Sequence, residues 1–392
     1  MLSLLKLKYN FTADFFSNKS VYPFYEKVYN KTNGECLLNR TPVSTKFEDK
    51  IYVVNHIPPY LDLKINTSNV SYSCFKTHYL NGFLVNLEDY DSVTAYMKEQ
   101  FGAKSRSKMR AYLKRLETCF PIRYKMFYGN ISKKEYDFLF ERFLLMIKRR
   151  FSQRMDTHEA MKNWDYLKKT TYSRILEKEA SLFVIYDAEK PIDICLNYHY
   201  QNIFYDSIRS YDIDYSKFRL GHIDILKQLE WCLENDYTIF DLSYGDLDYK
   251  RKWCNTVYEF EQHVLFPKNS LLKRVSAFFI LQLIILKGYL KKKKVHVLFK
   301  KVKSILKRNP EKMTEYLEPR FDVIPISENP LFEKVDEIDI NKEEHAPLRK
   351  EVYDFQYTQF EASRDIKVYK IIDHKDSYLI YGNKNSRKIV LK

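Results

Sequence analysis

The sequence predicts an α/β fold of mixed sheets flanked by helices, and three observations carry that expectation. Between Ser181 and Leu242 the hydrophobic pattern switches from strand-like runs to a helical period and back to a strand. Apolar residues make up 45% of the chain, which is enough to fill cores and argues against disorder. At 392 residues the chain exceeds what one core usually serves, so two globular units with appendages are expected.

Taken in order, Lys50–Asn55 reads as a strand that Ile57-Pro58-Pro59 stops, and Asn81-Gly82 opens a second short strand reaching Leu87. Asp91–Gln100 reads as a helix. Phe101–Leu116 is amphipathic, with Lys104, Arg106, Lys108, Arg110, Lys114 and Arg115 opposed to Met109, Leu113 and Leu116. Its basic face suits solvent or a phosphate-bearing ligand. Tyr136, Leu139, Phe140, Phe143, Leu144 and Ile147 recur at helical spacing, and a further helix is expected over His158–Lys168. Ser181–Tyr186, Pro191–Tyr200 and Ile203–Tyr211 then read as three antiparallel strands, joined at Asp187–Lys190 and Gln201-Asn202. Gly221–Asn235 is a helix with Ile225, Leu226, Leu229 and Leu233 inward. Thr238–Leu242 is a strand expected to run parallel to an earlier one, because a helix crosses between them. Lys367–Asp373, Ser377–Tyr381 and Lys388–Lys392 form a small C-terminal β element.

Charge is unevenly placed. From Gln262 to Pro310 there are thirteen Lys or Arg and no Asp or Glu, so most of the net charge of +15 belongs to this stretch. Val275–Leu286 is apolar nearly all round but shorter than the ~20 residues a bilayer span needs. Val295, Leu298, Phe299, Val302, Ile305 and Leu306 stripe a second helix with a basic opposite face. Such a helical pair can dock on the core, lie on an anionic membrane surface through residues 271–308, or bind RNA. Six cysteines show no Cys-x-x-Cys and no paired His spacing, which argues against structural zinc and a disulfide framework; no metal is expected. The N-terminus lacks a signal-peptide core, which points to the cytoplasm.

Tyr198–Trp253 carries the functional signal. A strand edge followed by a glycine at a helix start can grip an acyl carrier, its amide arm pairing with the strand and its pyrophosphate seated on the helix N-terminus. The order Tyr211-Asp-Ile-Asp-Tyr215, Leu220-Gly221, Phe240-Asp241, Gly245-Asp246, Tyr249-Lys250 and Trp253 resembles the GNAT-fold acyltransferases of the cellulose-biosynthesis acetyltransferase type, relatives of the Fem-type peptidoglycan bridge transferases. The basic helix around Ser105–Leu116 resembles a stretch that precedes that domain, and the likeness covers roughly residues 80–260. The resemblance implies tandem GNAT-like halves, here 1–120 and 121–261, followed by the basic helical pair 262–310 and an accessory region 311–392.

It also implies an acyl donor, usually acyl-CoA, and an amine or hydroxyl acceptor on a sugar, exopolysaccharide or lipid-linked cell-envelope precursor. Arg209, Ser210 and Tyr211 would form the strand edge for the donor's amide arm, and Arg219, Leu220, Gly221 and His222 the pyrophosphate turn. Phe218 stands where relatives carry Arg or Gln. Lys250 matches a lysine that lies near the reacting carbonyl, where its charge would stabilise the oxyanion. Tyr249 and Asp246 neighbour it, and Asp241 could orient the acceptor or act as base. His222 could donate to phosphate. Cys195, Cys232 and Cys254 lack a base partner, which favours direct transfer. The competing readings are an aminoacyl-tRNA-dependent transferase, with tRNA contacting the basic segment, and a non-catalytic membrane or nucleic-acid adaptor on a GNAT scaffold.

Overall fold

The computed structural model describes residues 6–39, 50–65, 72–153, 159–292, 321–325, 334–372, 374 and 376–391. The chain is a mixed α/β fold with two compact units, each drawn from three segments: Met1–Asp89, Tyr198–Asp206 and Asp236–Asn309 in the first, Tyr90–Asn197, Ser207–Asn235 and Pro310–Lys392 in the second.

Along the chain, β1 (Lys6–Asn10) leads into α1 (Phe11–Asn18), whose first turn is capped by the Asn10 side chain accepting from Ala13 N–H. Then come β2 (Tyr25–Asn30), β3 (Cys36–Asn39), β4 (Ile51–Ile57), β5 (Leu61–Ile65) and β6 (Tyr72–Asn86). The helices α2 (Val93–Gln100) and α3 (Ala103–Cys119) precede β7 (Ile122–Phe127) and α4 (Lys133–Ser152), with Ser92 capping α2 and Ser132 capping α4. The helix expected over His158–Lys168 is instead a 3₁₀ turn, Glu159–Asn163, followed by α5 (Trp164–Leu176). The register is set by Trp164, which buries its ring 5.4 Å from Phe140 and 5.6 Å from Phe143 of α4.

Strands β8 (Ala180–Asp187), β9 (Lys190–Tyr200) and β10 (Ile203–Tyr211) are joined by tight turns in which Ala188 and Gln201 take positive φ. After a 3₁₀ stretch at Ile213–Phe218 come α6 (Leu220–Glu234), β11 (Ile239–Tyr244), the short α7 (Asp248–Trp253), β12 (Thr256–Pro267) and α8 (Leu271–Lys292). The last elements are β13 (Phe321–Pro325), β14 (Val335–Glu337), α9 (Arg349–Gln359), β15 (Lys367–Ile371), β16 (Ser377–Tyr381) and β17 (Ser386–Leu391). The second basic helix read over residues 295–306 lies outside the described residues.

In the first unit the strand order is β1-β4-β12-β6-β11-β10. β12 runs antiparallel to both β4 and β6, pairing with β6 from Thr256–Leu84 to Pro267–Tyr72. β11 is antiparallel to β6 and parallel to β10, the crossing that the sequence pattern required. α8 packs on β6 and β12, where Ala277 and Ile280 join Ile51, Val53, Val264 and Phe266 in one buried cluster. A small sheet, β3-β2-β5, completes the unit.

In the second unit β7 pairs antiparallel with β8, and the order continues to β9 and β10. The C-terminal element is larger than the three strands expected: a five-stranded antiparallel sheet, β13-β17-β16-β15-β14. Its α9 lies against the 213–218 stretch, so Val352, Tyr353 and Phe355 share one core with Leu116, Phe120, Tyr215 and Phe218.

Candidate active site

In the first unit the site is built around the end of β11. Asp241 is fully buried and accepts from the hydroxyls of Tyr60 (2.6 Å) and Tyr258 (2.7 Å) and from the backbone N–H of Ser243 (2.6 Å). Burial raises its pKa, and the three donors pull the other way without overcoming it. Burial also pushes the two tyrosines well above the phenol range. Tyr258 reaches Asp241 by passing over Gly82 of β6: a Cβ there would lie 2.1 Å from its ring.

At the end of β11 the backbone folds round one ammonium group. Ser243 (φ 64°) and Gly245 (φ 104°) take left-handed conformations. Lys250, only 7% exposed, donates from Nζ to the carbonyls of Leu242 (2.5 Å) and Tyr244 (2.6 Å). Two of its three N–H bonds therefore tie the strand end to α7, and the group is fixed in place rather than swinging in solvent. The Asp246 carboxylate is exposed and chelates the Arg251 guanidinium. Tyr249 is half-buried.

Next to this loop lies a titratable pair that sequence reading missed. His56 ends β4 at φ 59°, its ring stacked on Tyr244 at 4.7 Å and 14°. Its Nε2 is 2.8 Å from the Tyr79 hydroxyl, and burial pushes that phenol up to about 12. No local spacing links residues 56, 79 and 244; strand pairing across the sheet brings them together.

In the second unit the residues expected at the donor are arranged along β10 and the start of α6. Tyr211 lies under the Arg150 guanidinium at 4.5 Å, and Arg150 also donates to the Arg209 carbonyl (3.4 Å). The side chain of Arg209 turns inward, 11% exposed and 3.7 Å from Asp224 Oδ2, so only its backbone faces the strand edge. Ser210 is buried. Arg219 takes the left-handed conformation (φ 60°) and is exposed, Leu220 is buried, and His222 is half-buried with its ring 6.5 Å from that of Tyr112. At Gly221 the space is open: an added Cβ would meet nothing nearer than the Tyr211 ring at 4.0 Å.

The turn between β10 and α6 is pinned by a charge network with no sequence signature. Arg149 of α4 bridges Asp212 (3.0 Å) and Asp214 (2.8 Å), and Lys190 holds the other oxygen of Asp212 at 2.8 Å. Burial raises Asp212, but Lys190 and Arg149 overcome it and hold that carboxyl below the usual range. Phe218 is fully buried, 5.1 Å from the rings of both Phe120 and Tyr357. Deeper in the unit, Asp193, Cys195 and Asp224 bring potential ligand atoms within 4.8 Å of one another. The Cys195 sulfur lies 3.4 Å from an oxygen of each carboxylate, burial raises Asp193 strongly, and the Arg209 guanidinium lies 3.7 Å from Asp224.

A strand, a helix opened by a left-handed residue, a second strand and a lysine-bearing turn follow one another in that chain order. Residues 103–251 match the family described as the acetyltransferase (GNAT) domain. No curated protein matches the sequence. Among solved structures, a conserved protein of unknown function from Bacteroides thetaiotaomicron is similar at 8% identity, over 55% of this chain and 70% of that one, with a TM-score of 0.38. The C-terminal domain of a putative lysylphosphatidylglycerol synthetase from Agrobacterium fabrum is similar at 12% identity, over 60% and 73%, TM-score 0.38. FemX is similar at 9% identity, over 54% and 71%, TM-score 0.38.

Proposed function

We propose that the chain transfers an acyl group directly from acyl-CoA to an amine or hydroxyl of a cell-envelope or exopolysaccharide sugar or its lipid-linked precursor, in the cytoplasm at the inner membrane surface. The observation that carries this reading is that the acetyltransferase match runs continuously through β10, α6, β11 and Lys250. The donor's pyrophosphate binds at the start of α6, against Arg219 and the backbone of Leu220, Gly221 and His222, where the positive end of the helix dipole favours anions. Its amide arm pairs with the backbone of Arg209, Ser210 and Tyr211.

In the transfer, the acceptor's lone pair attacks the thioester carbonyl. The new C–N or C–O bond forms as the C–S bond breaks, and the acceptor proton ends on the departing thiolate. Lys250 faces the oxyanion with a charge already held by two carbonyls, an arrangement whose loss costs about 100- to 1,000-fold in rate. Asp241 acts as a positioning residue through Tyr60, Tyr258 and Ser243, and Tyr249 and Asp246 shape the turn that carries Lys250. Phe218 replaces a polar residue of the relatives because the C-terminal module uses it as core, so its identity says nothing about the donor.

Thermal unfolding with acetyl-CoA, longer acyl-CoAs and bulk tRNA tests the donor; a ligand at 100 times its Kd adds about 2.7 kcal/mol. A shift with acyl-CoA that Arg219→Glu abolishes is expected, together with Lys250→Ala keeping the shift and losing transfer. A salt-sensitive shift with tRNA alone would replace acyl-CoA by aminoacyl-tRNA. No shift with either would favour the non-catalytic adaptor.

A further inference from the structure

α8 has two unlike faces. Its inner face meets β6 and β12 through Ala277 and Ile280, with Leu281 and Ile284 partly covered, and Gly288 faces Tyr79, which an added Cβ would meet in ordinary contact at 3.8 Å. Its outer face is apolar and open. Leu271 is 75% exposed, Val275 47%, Phe278 50%, Phe279 61%, Leu286 52% and Tyr289 57%, at the spacing of one helical stripe interrupted only by Gln282. A contiguous apolar surface of this kind on a water-facing helix marks an interaction site.

We infer that this face seats the protein on an anionic lipid surface, with α8 lying in the plane of the headgroup–acyl boundary. Charge decides among the occupants. At about 100° per residue, Arg274 and Lys287 fall on the two shoulders of the apolar stripe, where long cationic side chains reach headgroups while the stripe enters the acyl region. The surrounding sequence, Gln262–Pro310, holds thirteen cations and no Asp or Glu. A second copy, or the cationic stretch that follows α8, would set like charges against each other on this face; an anionic leaflet neutralises them. Spanning the bilayer is a different matter: no helix of the described residues is long and apolar enough to cross a membrane. The inference deepens the envelope-precursor reading, since it places the enzyme where a lipid-linked acceptor is met. It is tested without donor or acceptor, so either can fail without the other.

The experiment is flotation of the full chain with vesicles of phosphatidylcholine alone and of phosphatidylcholine mixed with phosphatidylglycerol. Each cation near an anionic leaflet strengthens binding roughly fivefold. Binding to the mixed vesicles is therefore expected to exceed that to neutral ones by more than about 25-fold, falling with added salt. Arg274→Glu with Lys287→Glu should cut that preference by at least about 25-fold. Phe278→Ser with Phe279→Ser should lose binding to both vesicles while leaving the thermal unfolding midpoint unchanged, because neither ring belongs to the buried cluster under α8. Wild-type protein that stays unbound with both vesicles overturns the inference. So does a concentration-dependent dimer, seen by light scattering, that the phenylalanine substitutions abolish; the face would then belong to a second copy.

Discussion

Asp241 was legible in the sequence as a strand-end carboxylate, but its three partners were not. Ser243 is a local partner two residues on, whereas Tyr60 and Tyr258 are distant in sequence and reach the carboxylate only through the assembled sheet. An amide at this position can still accept from the tyrosines, but it then turns an N–H toward the N–H of Ser243. Asp241→Asn is therefore expected to cost about 1–3 kcal/mol, the penalty for an unsatisfied buried donor, read as a lower urea midpoint at unchanged slope. Lys250 shows the same limit. The Gly-Asp-Leu-Asp-Tyr-Lys run marked it, whereas the carbonyls it bonds depend on positive φ at Ser243 and Gly245, and only the glycine announces such a conformation.

At the level of elements, strands and helices with clean periods were readable: β8 to β11 and α6 fall within a few residues of their expected bounds. β6 was seen only from Asn81 onward because its first half, Tyr72–Leu80, interrupts its apolar residues with Ser73, Lys76, Thr77 and His78 and shows no clean alternation. Gly82 looked like a turn signal there. It is instead a mid-strand site where the Tyr258 ring crosses the backbone. Gly82→Ala must displace that ring from Asp241, so a loss of about 1–3 kcal/mol is expected in chemical denaturation. The 3₁₀ stretch before α6 reads differently too. Phe218→Arg, which restores the residue type of the relatives, would bury an unpaired charge among Phe120, Tyr357 and their neighbours. It should destabilise by about 3–5 kcal/mol and give no gain in acyl-CoA binding by calorimetry.

Across the whole molecule, acid sensitivity follows from histidines buried as neutral rings. His199 lies 2.8 Å from the Tyr237 hydroxyl, and burial lowers its pKa from 6.5 to about 3. Between those values the unfolded chain binds a proton that the folded chain does not. This contribution to stability is therefore complete above pH 6.5 and lost as pH falls toward 3. His199→Gln should remove up to about 1.4 kcal/mol per pH unit from the slope of stability across that window, measured by urea unfolding at a series of pH values.

The order in which the chain is made gives the β4–β12–β6 arrangement a further meaning. β4 and β6 are complete by residue 86, yet the strand that separates them in the sheet, β12, ends only at Pro267. During synthesis, both flanks that receive β12 must wait for well over a hundred further residues, with their backbone groups open to other strands. The first unit is thus a late-closing structure. It cannot be obtained by cutting the gene at a convenient linker, and its formation is governed by long-range pairing, which is slow to close.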